Sequence, residues 1–153
     1  MILNYKWDDV MKNEKLLSEF KDVLKKEGLK VTPQRIAVLE EIIKDKGHRE
    51  SEDIYMAIKS RKTHVSRATV YRTLDILVQN GFARKLNLGD GRARYETKID
   101  SPHHDHIICN ECGKIIEFVN DKIEKMQEEI AKQHHFKLQQ HIHQLFGLCR
   151  ECQ

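Results

Sequence analysis

Two Cys-x-x-Cys pairs, Cys109 with Cys112 and Cys149 with Cys152, contain every cysteine of the chain and stand 36 residues apart. No other feature restricts the fold so tightly. Thiolates in two such pairs make up the ligand set of a closed, tetrahedral zinc site, which forces two remote segments to meet at one point. Two disulfides would use the same residues, but disulfides suit secreted chains, and nothing in this sequence reads as secreted. With all four sulfurs on one ion, no position is left for a catalytic water. A zinc deaminase also needs His-x-Glu before its Pro-Cys-x-x-Cys, which is lacking here. We therefore expect no enzyme, no catalytic residues and no small-molecule substrate.

The first pair closes the run Pro102–Cys112, which also holds His103, His104, Asp105 and His106. If His103–Cys109 is a strand, successive side chains point to opposite faces. His104 and His106 then share one face, and His103 and Asp105 the other, so that one strand feeds two metal sites. His64, His134, His135 and His143 are assigned no ligand role.

Charge is distributed unevenly. Residues 1–96 carry 20 Lys/Arg against 15 Asp/Glu, net +5, whereas residues 97–153 carry 7 against 9, net −2. Residues 59–94 alone hold 9 basic and 2 acidic side chains, net +7, which points to a polyanionic partner. No apolar run approaches membrane length and no signal-peptide core is apparent, so we expect a cytoplasmic protein that does not engage membranes.

Periodicity gives the elements. Asp8–Glu27 reads as a helix with Val10, Leu16, Leu17, Phe20, Val23 and Leu24 as its stripe and Gly28 as its stop. Thr32-Pro33 opens a second helix, buried through Ile36, Leu39, Ile42 and Ile43 and ending near Gly47. Ser51 is expected to cap a third, with Ile54, Tyr55 and Ile58 inward. Ser66 caps a fourth, running to Asn80 and stopped by Gly81. Val70, Leu74, Leu77 and Val78 form its buried face, leaving Ala68, Arg72 and Asp75 on the far side with Thr69 and Tyr71 beside them. Arg67, in the first turn, opposes the helix dipole and so needs another use. Phe82–Leu88 and Arg92–Glu96 flank Gly89-Asp90-Gly91 as a basic hairpin. Three helices and such a hairpin make a winged helix-turn-helix, whose last helix enters the major groove. Lys30, Arg67, Thr69, Tyr71 and Arg72 are the expected DNA contacts.

Residues 97–102 read as a linker. Beyond it we expect a strand over Lys114–Phe118, a helix over Asp121–His134 with Ile123, Met126 or Gln127, and Ile130 on one side, and a long strand over Phe136–Leu148. The fold class is α+β: an N-terminal winged helix-turn-helix domain, residues 1–96, and a small C-terminal α/β dimerisation domain, residues 103–153. About 55 residues are few for an independent core, so a metal and a partner subunit are the expected supports.

The segments Gly28–Arg35, Ala68–Arg72, His103–His106, Cys109-x-x-Cys112-Gly113 and Cys149-x-x-Cys152, in this order and spacing, resemble the ferric uptake regulators over nearly the whole chain. The resemblance implies a homodimer that binds double-stranded operator DNA and three metal sites. Cys109, Cys112, Cys149 and Cys152 match its structural Zn²⁺ site. His48, Glu96, His104, His106 and Glu117 match the regulatory site, and His103, Asp105, Glu124 and His141 a third. Mixed nitrogen and oxygen sets suit Fe²⁺ or Mn²⁺ and also accept Zn²⁺. Peroxide sensors of the family tend to carry Asp at the places of Glu96 and Glu117, and zinc sensors a cysteine in the regulatory site. This chain has neither, so the resemblance implies an Fe²⁺-responsive repressor of iron-uptake and homeostasis genes. A peroxide-sensing or Mn²⁺/Zn²⁺-responsive regulator is the alternative. A zinc-stapled interaction module with no regulatory ion is a further rival.

Overall fold

The computed structural model describes residues 4–45, 47–87, 91–99, 103–139 and 141–153, with backbone alone over 4–11. The described residues fall in two units. The first contains α1 (Asn4–Lys26), α2 (Pro33–Lys44), β1 (Arg49–Glu50), α3 (Ser51–Ser60), α4 (Arg67–Gln79), β2 (Ala83–Asn87) and β3 (Ala93–Thr97). The second contains β4 (Asp105–Cys109), β5 (Ile115–Phe118), α5 (Asp121–Gln133), β6 (Gln144–Gly147) and a 3-10 turn, Arg150–Cys152.

Helices of the first unit start and stop where their local chemistry dictates. Thr32 Oγ1 accepts from the Arg35 N–H at 3.4 Å, with Pro33 as the first helical residue. Ser66 Oγ accepts from the Thr69 N–H at 3.1 Å. At Gly28 and Gly81 the backbone turns left-handed, with φ +69° and +76°. There Leu29 N–H reaches the Leu24 carbonyl and Phe82 N–H the Leu77 carbonyl, each at 2.8 Å, which closes the helix end. Ser66→Ala leaves the Thr69 amide without its side-chain acceptor, and about 1 kcal/mol of stability should be lost in urea unfolding. An unchanged midpoint would show that water replaces the hydroxyl.

The stripes meet in one core of Phe20, Leu24, Val38, Leu39, Ile42, Ile54, Ile58, Val70, Leu74, Leu77 and Tyr95. Phe20 and Phe82 stack edge-on, with centroids 5.6 Å apart. Strands β2 and β3 pair as an antiparallel hairpin, Arg84 opposite Glu96, and β1 adds to the free side of β3, giving the order β1-β3-β2. Gly89 and Asp90 of the expected turn lie outside the described residues, as do Leu88, the linker's 100–102 and the side chain of Val10.

Several expectations are corrected. Helix α1 begins at Asn4 rather than Asp8, and α2 ends at Lys44, three residues short of Gly47. Ser51 is the first helical residue of α3 and is buried; Glu50 holds the cap position, with its N–H donating to Asp53 Oδ2 at 3.0 Å. Thr97, assigned to the linker, is the buried last residue of β3.

In the second unit β4 is central, with the order β5-β4-β6; β5 pairs with it antiparallel and β6 parallel. Helix α5 makes the crossover that a parallel pair demands. Its end differs from the sequence expectation. His135 is left-handed, φ 54°, and the Phe136 N–H returns to the Ala131 carbonyl at 2.8 Å. The chain leaves this turn as irregular backbone over 136–139, so the strand expected over Phe136–Leu148 is only Gln144–Gly147. Of the residues placed on one side of α5, Met126 and Ile130 are exposed, while Ile123 and Gln127 are half-buried. Among the described residues no helix is long and apolar enough to cross a membrane.

Candidate metal centres and nucleic-acid face

Three features of the second unit bring its four cysteines together. Cys109 ends β4, Gly113 at φ 72° folds the knuckle that carries Cys112, and the last turn brings back Cys149 and Cys152. The four sulfurs lie within 4.8 Å of one another, and Cys112 and Cys149 are 3.7 Å apart. All four are free thiols. A disulfide would need about 2.05 Å, whereas two sulfurs on a tetrahedral zinc, with bonds of about 2.3 Å, sit about 3.8 Å apart. The donor set and spacing fit Zn²⁺. The amides of Cys112 and Cys149 turn toward Cys109 Sγ and hold that thiol down at about 6, the Cys149 N–H at 3.3 Å. Hydrogen bonding with Cys149 and Cys112 instead pushes Cys152 up to about 12.

The strand expected from His103 begins only at Asp105; on one side of β4 and the residues just before it, His103 and Asp105 converge with Glu124 and His141, their ligand atoms again within 4.8 Å of one another. His103 Nε2 is 2.7 Å from His141 Nε2, 3.3 Å from Asp105 Oδ1 and 3.4 Å from Glu124 Oε1. Ligands on one cation at about 2.1 Å lie about 3.0 Å apart at right angles and about 3.4 Å apart at tetrahedral angles. Among the described residues, Asp105 Oδ1 and Glu124 Oε1 are buried without a hydrogen-bond partner, a state that costs free energy unless a cation faces them. These residues fit a divalent ion. His143, assigned no ligand role from sequence, also reaches this group: its Nδ1 is 3.3 Å from Asp105 Oδ2.

On the opposite face, His104 and His106 stack edge-on with centroids 4.9 Å apart. Glu117 stands opposite His106 in the β4–β5 register, with its Oε1 3.8 Å from His104 Nε2. His106 is buried and Glu117 exposed.

In the first unit, His48 Nε2 is 2.9 Å from Glu96 Oε2, and both side chains are largely buried. Arg84, across the hairpin, donates from Nη1 to Glu96 Oε1 at 3.2 Å. The segment carrying His48 is tied back to α2: Arg49 donates from Nη1 and Nη2 to the carboxylate and carbonyl of Glu41, each at 2.8 Å. Arg61 also contacts that carboxylate. Neither arginine was singled out from sequence; ion pairs between remote segments leave no spacing signal.

The outward face of α4 presents Ala68, Tyr71, Arg72 and Asp75, with Tyr71 49% exposed. Lys30, Arg35 and Thr69 line one open groove beside it. Thr69 Oγ1 is 2.9 Å from Ser66 Oγ. Arg67 is otherwise engaged: Nε and Nη2 grip Glu52 at 2.8 and 2.6 Å, and the guanidinium lies 4.4 Å over the Tyr55 ring. That hydrogen-bonded pairing holds the Glu52 carboxyl below its ordinary range. The misplaced charge at the helix start therefore finds a use in clamping α4 to α3.

Comparison with known proteins decides the family. The family model described as "Ferric uptake regulator family" matches residues 26–146. The chain belongs to the ferric uptake regulator family. It is 45% identical over 139 residues to the ferric uptake regulation protein of Campylobacter upsaliensis, covering 90% of this chain and 88% of that one. It is 34% identical over 136 residues to the peroxide operon regulator of Bacillus subtilis, covering 89% and 92%. The structure of the Helicobacter pylori ferric uptake regulator, which reveals three functional metal binding sites, superposes with a TM-score of 0.81 at 36% identity, covering 92% and 93%. As a ferric uptake regulator family member, the chain has the expected α+β class and is a metal-responsive transcriptional regulator, in a family of regulators rather than enzymes.

Proposed function

We propose that this regulator is an Fe²⁺-responsive repressor that binds double-stranded operator DNA as a homodimer. In this reading Zn²⁺ at Cys109, Cys112, Cys149 and Cys152 is structural. Fe²⁺ is the corepressor, shared by His48 and Glu96 of one unit with His104, His106 and Glu117 of the other. His103, Asp105, Glu124 and His141 hold a third ion. One observation carries the proposal. Strand β3 forms half of the basic hairpin and also carries buried Glu96, paired with His48, so DNA reading and ion binding share one strand. Nitrogen and carboxylate donors suit Fe²⁺ or Mn²⁺, and the ion supplies a positive centre that gathers both half-sets. A dimer suits the second unit, where Phe136 is 72% and Ile142 81% exposed and Leu145, Phe146 and Leu148 are exposed beside them.

Metal analysis beside DNA binding tests the reading. The purified protein should keep one Zn²⁺ per chain and bind operator DNA more tightly when Fe²⁺ is added. DNA affinity indifferent to added Fe²⁺ or Mn²⁺ would leave only a zinc-stapled module. Prompt addition of one oxygen atom to a ligand histidine, on exposure of the Fe²⁺ form to peroxide, would replace the iron sensor with a peroxide sensor. Within the complex, Arg72 reaches a base edge and Tyr71 a thymine methyl or the backbone. Arg72→Ala should weaken operator binding about tenfold and relax discrimination at one base pair. Equal losses on operator and random DNA would mark Arg72 as a phosphate contact.

A further inference from the structure

We propose that His143 is a positioning residue for the third ion site: it holds Oδ2 of Asp105 and so leaves Oδ1 as the single oxygen which that carboxylate offers to a divalent cation. The inference rests on reading His103, Asp105, Glu124 and His141 as a cation site.

Asp105 is 1% exposed, and its two oxygens have different surroundings. Oδ1 makes no hydrogen bond and faces His103 Nε2 at 3.3 Å and His141 Nε2 at 3.8 Å. Oδ2 faces His143 Nδ1 at 3.3 Å. An ionised carboxylate only accepts, so the proton of that contact sits on His143 Nδ1. His141 and His143 stand two residues apart and reach one carboxylate from its two sides. Backbone and ring of His143 are each anchored. Its carbonyl accepts from the His106 N–H at 3.3 Å, and its ring packs edge-on with that of Phe118, centroids 5.9 Å apart. Phe118 is the register partner of Asp105 across β4 and β5.

A carboxylate with both oxygens unengaged chelates large cations such as Ca²⁺ through the pair. With Oδ2 taken, Asp105 is a one-oxygen ligand of fixed direction, which suits a small first-row cation. Partners that orient a ligand in this way typically change metal affinity about 10–100-fold.

The test uses the zinc-loaded protein in a His104→Ala, His106→Ala background, which removes both imidazoles that the second unit gives to the regulatory set, with Co²⁺ as the probe read by its visible absorption. The background protein should bind one Co²⁺ and His141→Ala should bind none. His143→Leu should bind about 10–100-fold more weakly with an altered spectrum. His143→Asn, whose amide donates to Oδ2, should recover most of the affinity. Parent-like affinity and spectrum in His143→Leu overturn the proposal, as does an Asn variant no tighter than Leu, which would make His143 a ligand or a spacer. If His141→Ala binds Co²⁺ as the background does, the cation-site reading itself falls. Nitrogen NMR of the zinc-loaded protein gives an answer that depends on no variant folding: His143 should carry its proton on Nδ1, and the Nε2–H tautomer would refute the assigned donation.

Discussion

Cys109→Ser is expected to empty the four-sulfur cluster and unfold the second unit. Among the described residues, the hydrophobic core cluster draws on the first unit, whereas the buried positions of β4 are Asp105, His106, Ile108 and Cys109. A unit with so little apolar interior depends on its ion, and structural zinc contributes about 10–16 kcal/mol of apparent binding free energy. Cys109 is the thiol best prepared to hold it, since two amides already favour its thiolate. The variant should lose its zinc by metal analysis, its near-ultraviolet dichroism and its dimer by sedimentation. One zinc per chain and an intact dimer would refute the reading. The pH dependence has a definite sign. Cys109 is depressed from 9.0 to about 6, so its thiolate favours the folded state above pH 9, and that contribution is gone below about 6. Cys149 and Cys152 are raised, so in the metal-free protein their contribution to folding is present below pH 9.0 and is lost as pH climbs through the folded values. Zinc uptake near neutral pH must drive off their protons, and calorimetry in buffers of different ionisation enthalpy should register the release.

His104→Ala is expected to leave the zinc and the dimer intact and to abolish Fe²⁺-stimulated operator binding, a loss of up to roughly 150-fold, the upper end of ordinary allosteric coupling. An ion shifts the equilibrium between unit arrangements only by binding the DNA-competent one more tightly. His104 packs against His106 and faces Glu117, so its removal takes one of the second unit's two imidazoles from the set. A variant that answers Fe²⁺ or Mn²⁺ as the parent does would move the sensing role to His103, Asp105, Glu124 and His141.

Much of this architecture is legible in the sequence because it is written in local terms. Gly28 and Gly81 mark helix ends, since a left-handed residue is needed there; Thr32 and Ser66 mark starts because their hydroxyls cap. Alternation in His103–His106 pairs His104 with His106 and His103 with Asp105, and the side chains are grouped in this way. The misreadings share a cause. His135 takes the left-handed place that glycine usually fills, so the backbone break after α5 carries no sequence mark, and Phe136–Leu148 reads as one strand. Strand β1 has two residues, too few for any period. The pairing of Arg67 with Glu52 also carries no sequence mark, because the two lie 15 residues apart and meet only in the folded unit. His143 escapes notice for the opposite reason: its signal, two residues from His141, is present but gains meaning only when β6 lies alongside β4.

In the proposed reading, strand β4 and the residues leading into it allot ligands by parity, odd positions to one ion and even positions to another, with Cys109 at the end as an anchor for the zinc. Such a strand cannot slip unnoticed. A one-residue shift against β5 would exchange the two faces, bringing the Asp105 carboxylate where an imidazole belongs and an imidazole where the carboxylate belongs. A two-residue shift would keep the faces but carry the Cys109 sulfur about 7 Å along the strand, beyond reach of its three partners. Convergence of the four sulfurs and correct pairing of β4 are therefore one condition: the register that seats Cys109 among its partners is the register that keeps the two faces sorted.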